Sequence, residues 1–167
     1  VSYGYGMSVS LLHLAKAYAI LGNGGFDIEP TIVKKNHNSQ SGSRVLKKTT
    51  SDEMLKLLEA VVTDQRGTAR ILRSKYYRIG GKTGTAEKIS LEKKGYQKDK
   101  VVANFVGLFP LQEPRFVIAA FLDEPENNLL QEPCRYASCT VVPMVKKLIE
   151  RTGPLMNVTP DHQALVF

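Results

Sequence analysis

A chain of 167 residues, 43% of them hydrophobic and 23% charged, is long enough to close one domain around a core. Its net charge of +7 lacks the basic, aromatic-interleaved face of a nucleic-acid binder, and no apolar run approaches the ~20 residues of a membrane-spanning helix. The chain opens on Val1, without an initiator Met or signal-like start, in what reads as mid-domain sequence, so the expectation is a piece of something longer.

In chain order, Leu11, Leu14, Ala15, Tyr18 and Ala19 keep the i, i+3, i+4, i+7, i+8 spacing of an amphipathic helix. Gly22-Asn23-Gly24-Gly25 stops it with residues that tolerate positive φ. Glu29 to Val33 reads as a short edge strand, and the polar Asn36 to Ser43 as a loop. Thr50 with Glu53 makes a capping-box pattern for a second helix, with Met54, Leu58, Val61 and Val62 on its apolar face and its end near Gly67.

Arg78 to Lys88 follows as a strand-like stretch, and Lys93-Lys94-Gly95 gives a hairpin turn. Val101 to Phe109, apolar on both faces, predicts a buried central strand. Pro110 to Pro114 turns the chain into a third strand over Arg115 to Asp123. Three strands with short connections predict an antiparallel meander. Glu124 to Ser138 reads as irregular. Val141, Val145, Leu148 and Ile149 then mark a C-terminal helix, with Pro143 in its first turn and Gly153-Pro154 at its end. The fold class is α+β: an antiparallel sheet with flanking helices, in one domain or part of one.

The densest chemistry lies in Gly80-Gly81-Lys82-Thr83-Gly84-Thr85, where a lysine, two hydroxyls and three glycines fall within six residues. On a strand, Lys82 and Gly84 face one way and Thr83 and Thr85 the other. Gly84 removes a side chain where another backbone or a ligand comes close. A positive charge, hydroxyl donors and bare N–H groups suit an acyl substrate that carries a carboxylate, because an N–H stabilises the oxygen that turns negative in acyl transfer.

Other features read more plainly. The basic stretch Lys88 to Lys100, broken by Glu87, Glu92 and Asp99, fits a solvated hairpin tip better than a contact with anionic lipid or glycan. Cys134 and Cys139 pair only if their segment loops back, and without further ligands they make a zinc site improbable by composition. His13 and His37 lack a serine partner in any recognisable pattern and read as surface or packing residues, and His162 lies in the tail. Arg70 and Arg73 read as a solvated helix-to-loop segment.

Lys82-Thr83-Gly84, with Tyr3-Gly4-Tyr5-Gly6 before the first helix, the Gly-Asn-Gly-Gly turn and Gly67-Thr68-Ala69, resembles the class B penicillin-binding proteins, closest to the cell-division type. The likeness runs from about Tyr3 to Asp161. It implies the C-terminal part of a transpeptidase domain over residues 1–167, from a peptidoglycan D,D-transpeptidase of cell division that works through an acyl-serine. Stem peptides ending in D-Ala-D-Ala, β-lactam antibiotics and division-machinery membrane proteins are the implied partners; no cofactor, metal or nucleic acid is implied. The parent is expected in the bacterial inner membrane with this domain facing the periplasm.

Carried over residue by residue, the resemblance makes Lys82 and Thr85 catalytic, Lys82 through its charge and Thr85 through its oxyanion-hole N–H. It makes Lys82, Thr83, Gly84 and Thr85 the substrate and β-lactam-binding set. The family's Ser-x-x-Lys and Ser-x-Asn motifs are expected upstream of Val1. The one literal Ser-x-x-Lys, Ser90-Leu91-Glu92-Lys93, follows the strand in a charged hairpin and reads as coincidence. The chain by itself is therefore expected to be inactive. The family's sheet has five strands, so the edge of the third strand here is expected to be bare and open to self-association. Glu126 to Cys139 lacks the family's glycines and has Tyr136 as its one aromatic, so no aromatic-wall residue is transferred. A β-lactamase or D,D-carboxypeptidase, or a non-catalytic interaction domain on the same scaffold, are the alternatives.

Overall fold

The computed structural model describes residues 8–33, 42–89, 95–126 and 133–161, apart from the side chains of 98 and 99. Tyr3 to Gly6, residues 36–41 of the expected loop, the Ser90 to Lys93 tetrapeptide, Lys94, His37 and His162 lie outside them. Helix α1 spans Leu11–Gly22, α2 Lys48–Thr63 and α3 Val141–Leu155; strands β1, β2 and β3 span Gly80–Ile89, Tyr96–Phe109 and Phe116–Asp123. A 3-10 turn at Arg70–Leu72 precedes β1.

The strands pair antiparallel in the order β1-β2-β3, as the meander reading expects. Gly80 lies opposite Leu108 and Thr85 opposite Ala103, with a bulge between Glu87 and Lys88. On the other side of β2, Val102 lies opposite Asp123. β2 begins five residues before the expected Val101, because the bulge lets Tyr96 and Gln97 pair with Ile89 and Lys88. Phe105, Ala103 and Phe109 pack with Leu72, Val141, Val145 and Ile149 on one face. On the other, Leu108 and Leu111 pack with Leu58 of α2 and with Tyr18 and Leu21 of α1. Val62, at the end of α2, joins the α3 side. α2 therefore contributes to both clusters, through Leu58 to one and Val62 to the other.

α1 starts where the periodicity puts it, with the Ser10 hydroxyl accepting from the His13 N–H at 3.2 Å. It stops through Gly24 (φ 65°) and Gly25 (φ 91°). Five local expectations fail. Glu29 to Val33 forms no strand: the isolated Phe26–Arg44 bridge lies before it, and Ile32 is fully exposed. Extended propensity without a partner edge makes no strand.

The capping box does not form either. α2 starts at Lys48 with no side-chain cap, and Ser51, fully buried, gives its hydroxyl to the Leu21 carbonyl of α1. This tertiary bond, with a Lys48–Asp52 pair at 2.7 Å, sets the first turn earlier. α2 also ends at Thr63, short of Gly67. In α3, Val142 is buried where Leu148 was expected and Leu148 is 43% exposed, so the stripe is rotated. Gly153-Pro154 does not end α3, which runs to Leu155. Gly153 is small because the Tyr77 ring lies 2.7 Å from where its Cβ would be, and Asn157 at φ 51° turns the chain instead. No described helix is long and apolar enough to cross a membrane.

Candidate substrate-binding site

The site begins at the end of α2. Its last carbonyls are taken up by the segment that leads to β1: the Ala69 N–H donates to Val61 O at 3.1 Å, and Arg73 Nε to Val62 O at 3.1 Å. Gly67 passes so close to Val61 O that a Cβ would lie 2.3 Å from it. Arg73 is therefore half-buried and structural, a correction to the solvated reading. Arg78 then forks onto Glu59 of α2, both bonds at 2.7 Å, which fixes the entry to β1. Hydrogen bonding to Glu59 raises the Arg78 pKa further above its already high ordinary value.

Along β1 the alternation holds. Thr83 and Thr85 face the α3 side: the Thr83 hydroxyl lies 2.7 Å from the Thr68 hydroxyl, and Thr85 Oγ1 accepts the Ala137 N–H at 3.1 Å. Lys82 and Gly84 face the other side. Lys82 is exposed, and its Nζ donates to Thr83 O at 2.8 Å. The space at Gly84 is taken by the protein itself, since a Cβ there would sit 2.6 Å from Asn104 Oδ1. The glycine is thus explained by a cross-strand neighbour.

Beside the Thr68–Thr83 pair opens a cleft of about 780 Å³ lined by Gln65, Arg66, Thr68, Arg70 and Ser138 among others. Arg70 donates to Gln65 O at 2.8 Å and stays exposed. Thr68 and Ser138 were not singled out from sequence. Thr68 carried a signal, as the middle of Gly67-Thr68-Ala69, whereas Ser138 carried none. Cys134 and Cys139 are joined in a disulfide, so their segment does loop back. His13 is exposed and bonded to Ser10. Among the described residues no three His, Cys, Asp or Glu side chains group in a way that could hold a metal ion.

A layered α+β domain whose outer strand carries Lys-Thr-Gly fits the penicillin-binding and β-lactamase scaffold, and the solved structures it matches are of penicillin-binding proteins. The apo transpeptidase domain of Burkholderia pseudomallei penicillin-binding protein 3 is 38% identical, with a TM-score of 0.81 over 96% of this chain and 46% of that one. Mycobacterium tuberculosis penicillin-binding protein 3 complexed with aztreonam is 27% identical, with a TM-score of 0.75 over 95% of this chain and 38% of that one. The profile of the penicillin binding protein transpeptidase domain matches residues 1–149, and the chain belongs to that family. The probable peptidoglycan D,D-transpeptidase FtsI of Caulobacter vibrioides is 34% identical over 94% of this chain and 28% of its own length. The FtsI homolog of Mesostigma viride is 30% identical over 98% and 30%. The chain thus spans under a third of the length of these two relatives.

Proposed function

We propose that residues 1–167 are the C-terminal part of the transpeptidase domain of a peptidoglycan D,D-transpeptidase of cell division, in which β1 is the substrate-binding strand. One observation carries the reading: Thr83 and Thr85 share a face of one strand, each hydroxyl already held by a neighbour, and the exposed Lys82 bends its Nζ back onto Thr83 O. Lys82 supplies positive charge and joins the proton network. Thr83 and Thr85 hold the terminal carboxylate of a stem peptide or β-lactam, a charge-assisted bond that is stronger than a neutral one. The Thr85 N–H is one donor of the oxyanion hole. The nucleophilic serine and its lysine come from preceding sequence, so this chain alone forms no acyl-enzyme.

The aztreonam complex of the mycobacterial relative supports β-lactams as ligands. The relatives named peptidoglycan D,D-transpeptidase FtsI support the activity; a parent in the inner membrane facing the periplasm, with division-machinery partners, completes the same reading. The test is Lys82→Ala in the full-length protein, read by covalent labelling with a fluorescent penicillin. Because the side chain is exposed, the melting temperature should hold while labelling falls by ~10²-fold or more, the scale of losing one transition-state contact. Labelling at the wild-type rate would remove Lys82 from the mechanism. Rapid turnover of the label in the wild type would favour a β-lactamase, and no labelling a non-catalytic domain.

A further inference from the structure

The segment that enters α3 reaches the substrate strand through a backbone N–H, and a covalent bond closes around that group. Cys134 and Cys139 are joined with their Cα atoms 6.2 Å apart. Inside the loop, Ala137 is 2% exposed. Its N–H donates to Thr85 Oγ1 at 3.1 Å, and its carbonyl accepts the Val142 N–H of α3 at 3.0 Å. Tyr136 O takes the Cys139 N–H at 3.1 Å and the Thr140 hydroxyl at 2.8 Å, so the loop is tied internally as well. Ser138, the next residue, is exposed and lines the cleft beside Thr68. The loop therefore meets the site twice, at Thr85 and at the cleft wall.

A hydroxyl has one proton and two lone pairs, whereas a carboxylate only accepts. With the Ala137 N–H occupying one lone pair of Thr85, the oxygen is fixed and its proton is left to donate elsewhere. A donor at the oxygen also polarises the O–H toward a stronger outgoing bond. Freed from Ala137, the side chain regains its other χ1 wells and a hydration shell, and must give these up again when a ligand binds.

We propose that the Cys134–Cys139 loop is a positioning device for the ligand carboxylate: by holding the Ala137 N–H on Thr85 Oγ1 it aims the Thr85 hydroxyl proton at the ligand, which makes carboxylate capture depend on the redox state of this cysteine pair. The inference rests on the transpeptidase reading above. Opening the bond needs two electrons and two protons, supplied by a dithiol that leaves as a cyclic disulfide while Cys134 and Cys139 become thiols.

The experiment uses the full-length protein and stopped-flow labelling with a penicillin, separating the Kd of the reversible complex from the limiting acylation rate. Dithiothreitol treatment, and separately the double variant Cys134→Ser/Cys139→Ser, should each raise Kd roughly tenfold, the scale of one hydrogen bond to a charged group, and leave the limiting rate unchanged. In Thr85→Val, reduction should change nothing further. A penicillin methyl ester, which lacks the carboxylate charge, should bind oxidised and reduced protein alike. A loop that merely stabilised the fold would weaken both ligands and would act in Thr85→Val as well. Equal Kd values for oxidised and reduced wild type, or the same loss in Thr85→Val, would overturn the inference while the transpeptidase reading stands. An oxidised wild type that takes up no penicillin would overturn both.

Discussion

Gly84 illustrates how a residue is understood differently once its neighbours are known. From sequence the missing side chain meant room for another backbone or for a ligand. In the fold, Asn104 on β2 fills that room, with Oδ1 2.6 Å and Nδ2 2.8 Å from where a Cβ would stand. Gly84→Ala should therefore push Asn104 aside or shift β1 and destabilise the protein by about 1–3 kcal/mol, the usual range for overpacking. Asn104→Ala in the same molecule should recover most of that loss, because the clash is with one side chain and not with backbone. Urea unfolding of the two single variants and the double variant checks this. Additive losses would show that Gly84 serves something other than its cross-strand neighbour.

The elements were legible in proportion to how local their causes are. Strand alternation depends only on the pleat, so the opposed facing of Lys82 and Thr83 could be read directly. α1 was legible too, because its spacing is local; its Ser10 cap, equally local, was found only in the fold. The capping box and the end of α3 were not legible, since Ser51 answers to Leu21 thirty residues away and Gly153 to Tyr77. The same limit hid Thr68: a hydroxyl fifteen residues upstream reaches Thr83 only after the chain has wrapped the end of α2.

Lys88 was likewise read as part of a solvated tip. It instead reaches across β2 to Asp123 and Glu124 at the end of β3, at 3.0 Å and 2.7 Å. Hydrogen bonds to Glu124, then Asp123, raise its pKa above the ordinary 10.5. A proton held more tightly in the folded state stabilises fully below the unfolded value and is lost as pH rises through the folded one. The melting-temperature gap between wild type and Lys88→Met should thus stay constant from neutrality to about pH 10 and close above it. Tyr18, whose pKa burial also raises, weakens the fold at the same alkaline end, but equally in both proteins. A gap that persists at the alkaline limit would mean that the ammonium charge contributes nothing.

At the scale of the whole molecule the sheet is unevenly finished. β1 has its second edge beside the cleft and β3 has one paired edge among the described residues, while Phe121 on β3 is 53% exposed. Between the end of β3 and α3 runs a groove of about 790 Å³ that includes Leu122, Met144 and Leu148. An unpaired edge next to apolar surface is a template for another strand. In the longer protein proposed above, preceding sequence of the same domain takes that place, as the 46% coverage of the Burkholderia domain leaves room for. Alone, residues 1–167 should pair with a second copy. Sedimentation velocity on this polypeptide should show dimers or larger species at micromolar concentration, and Phe121→Lys, which sets a charge on the edge strand, should shift it toward monomer. The complete domain should be insensitive to concentration. If the isolated chain stays monomeric throughout, the β3 edge is satisfied within residues 1–167, and the sheet needs no strand from outside them.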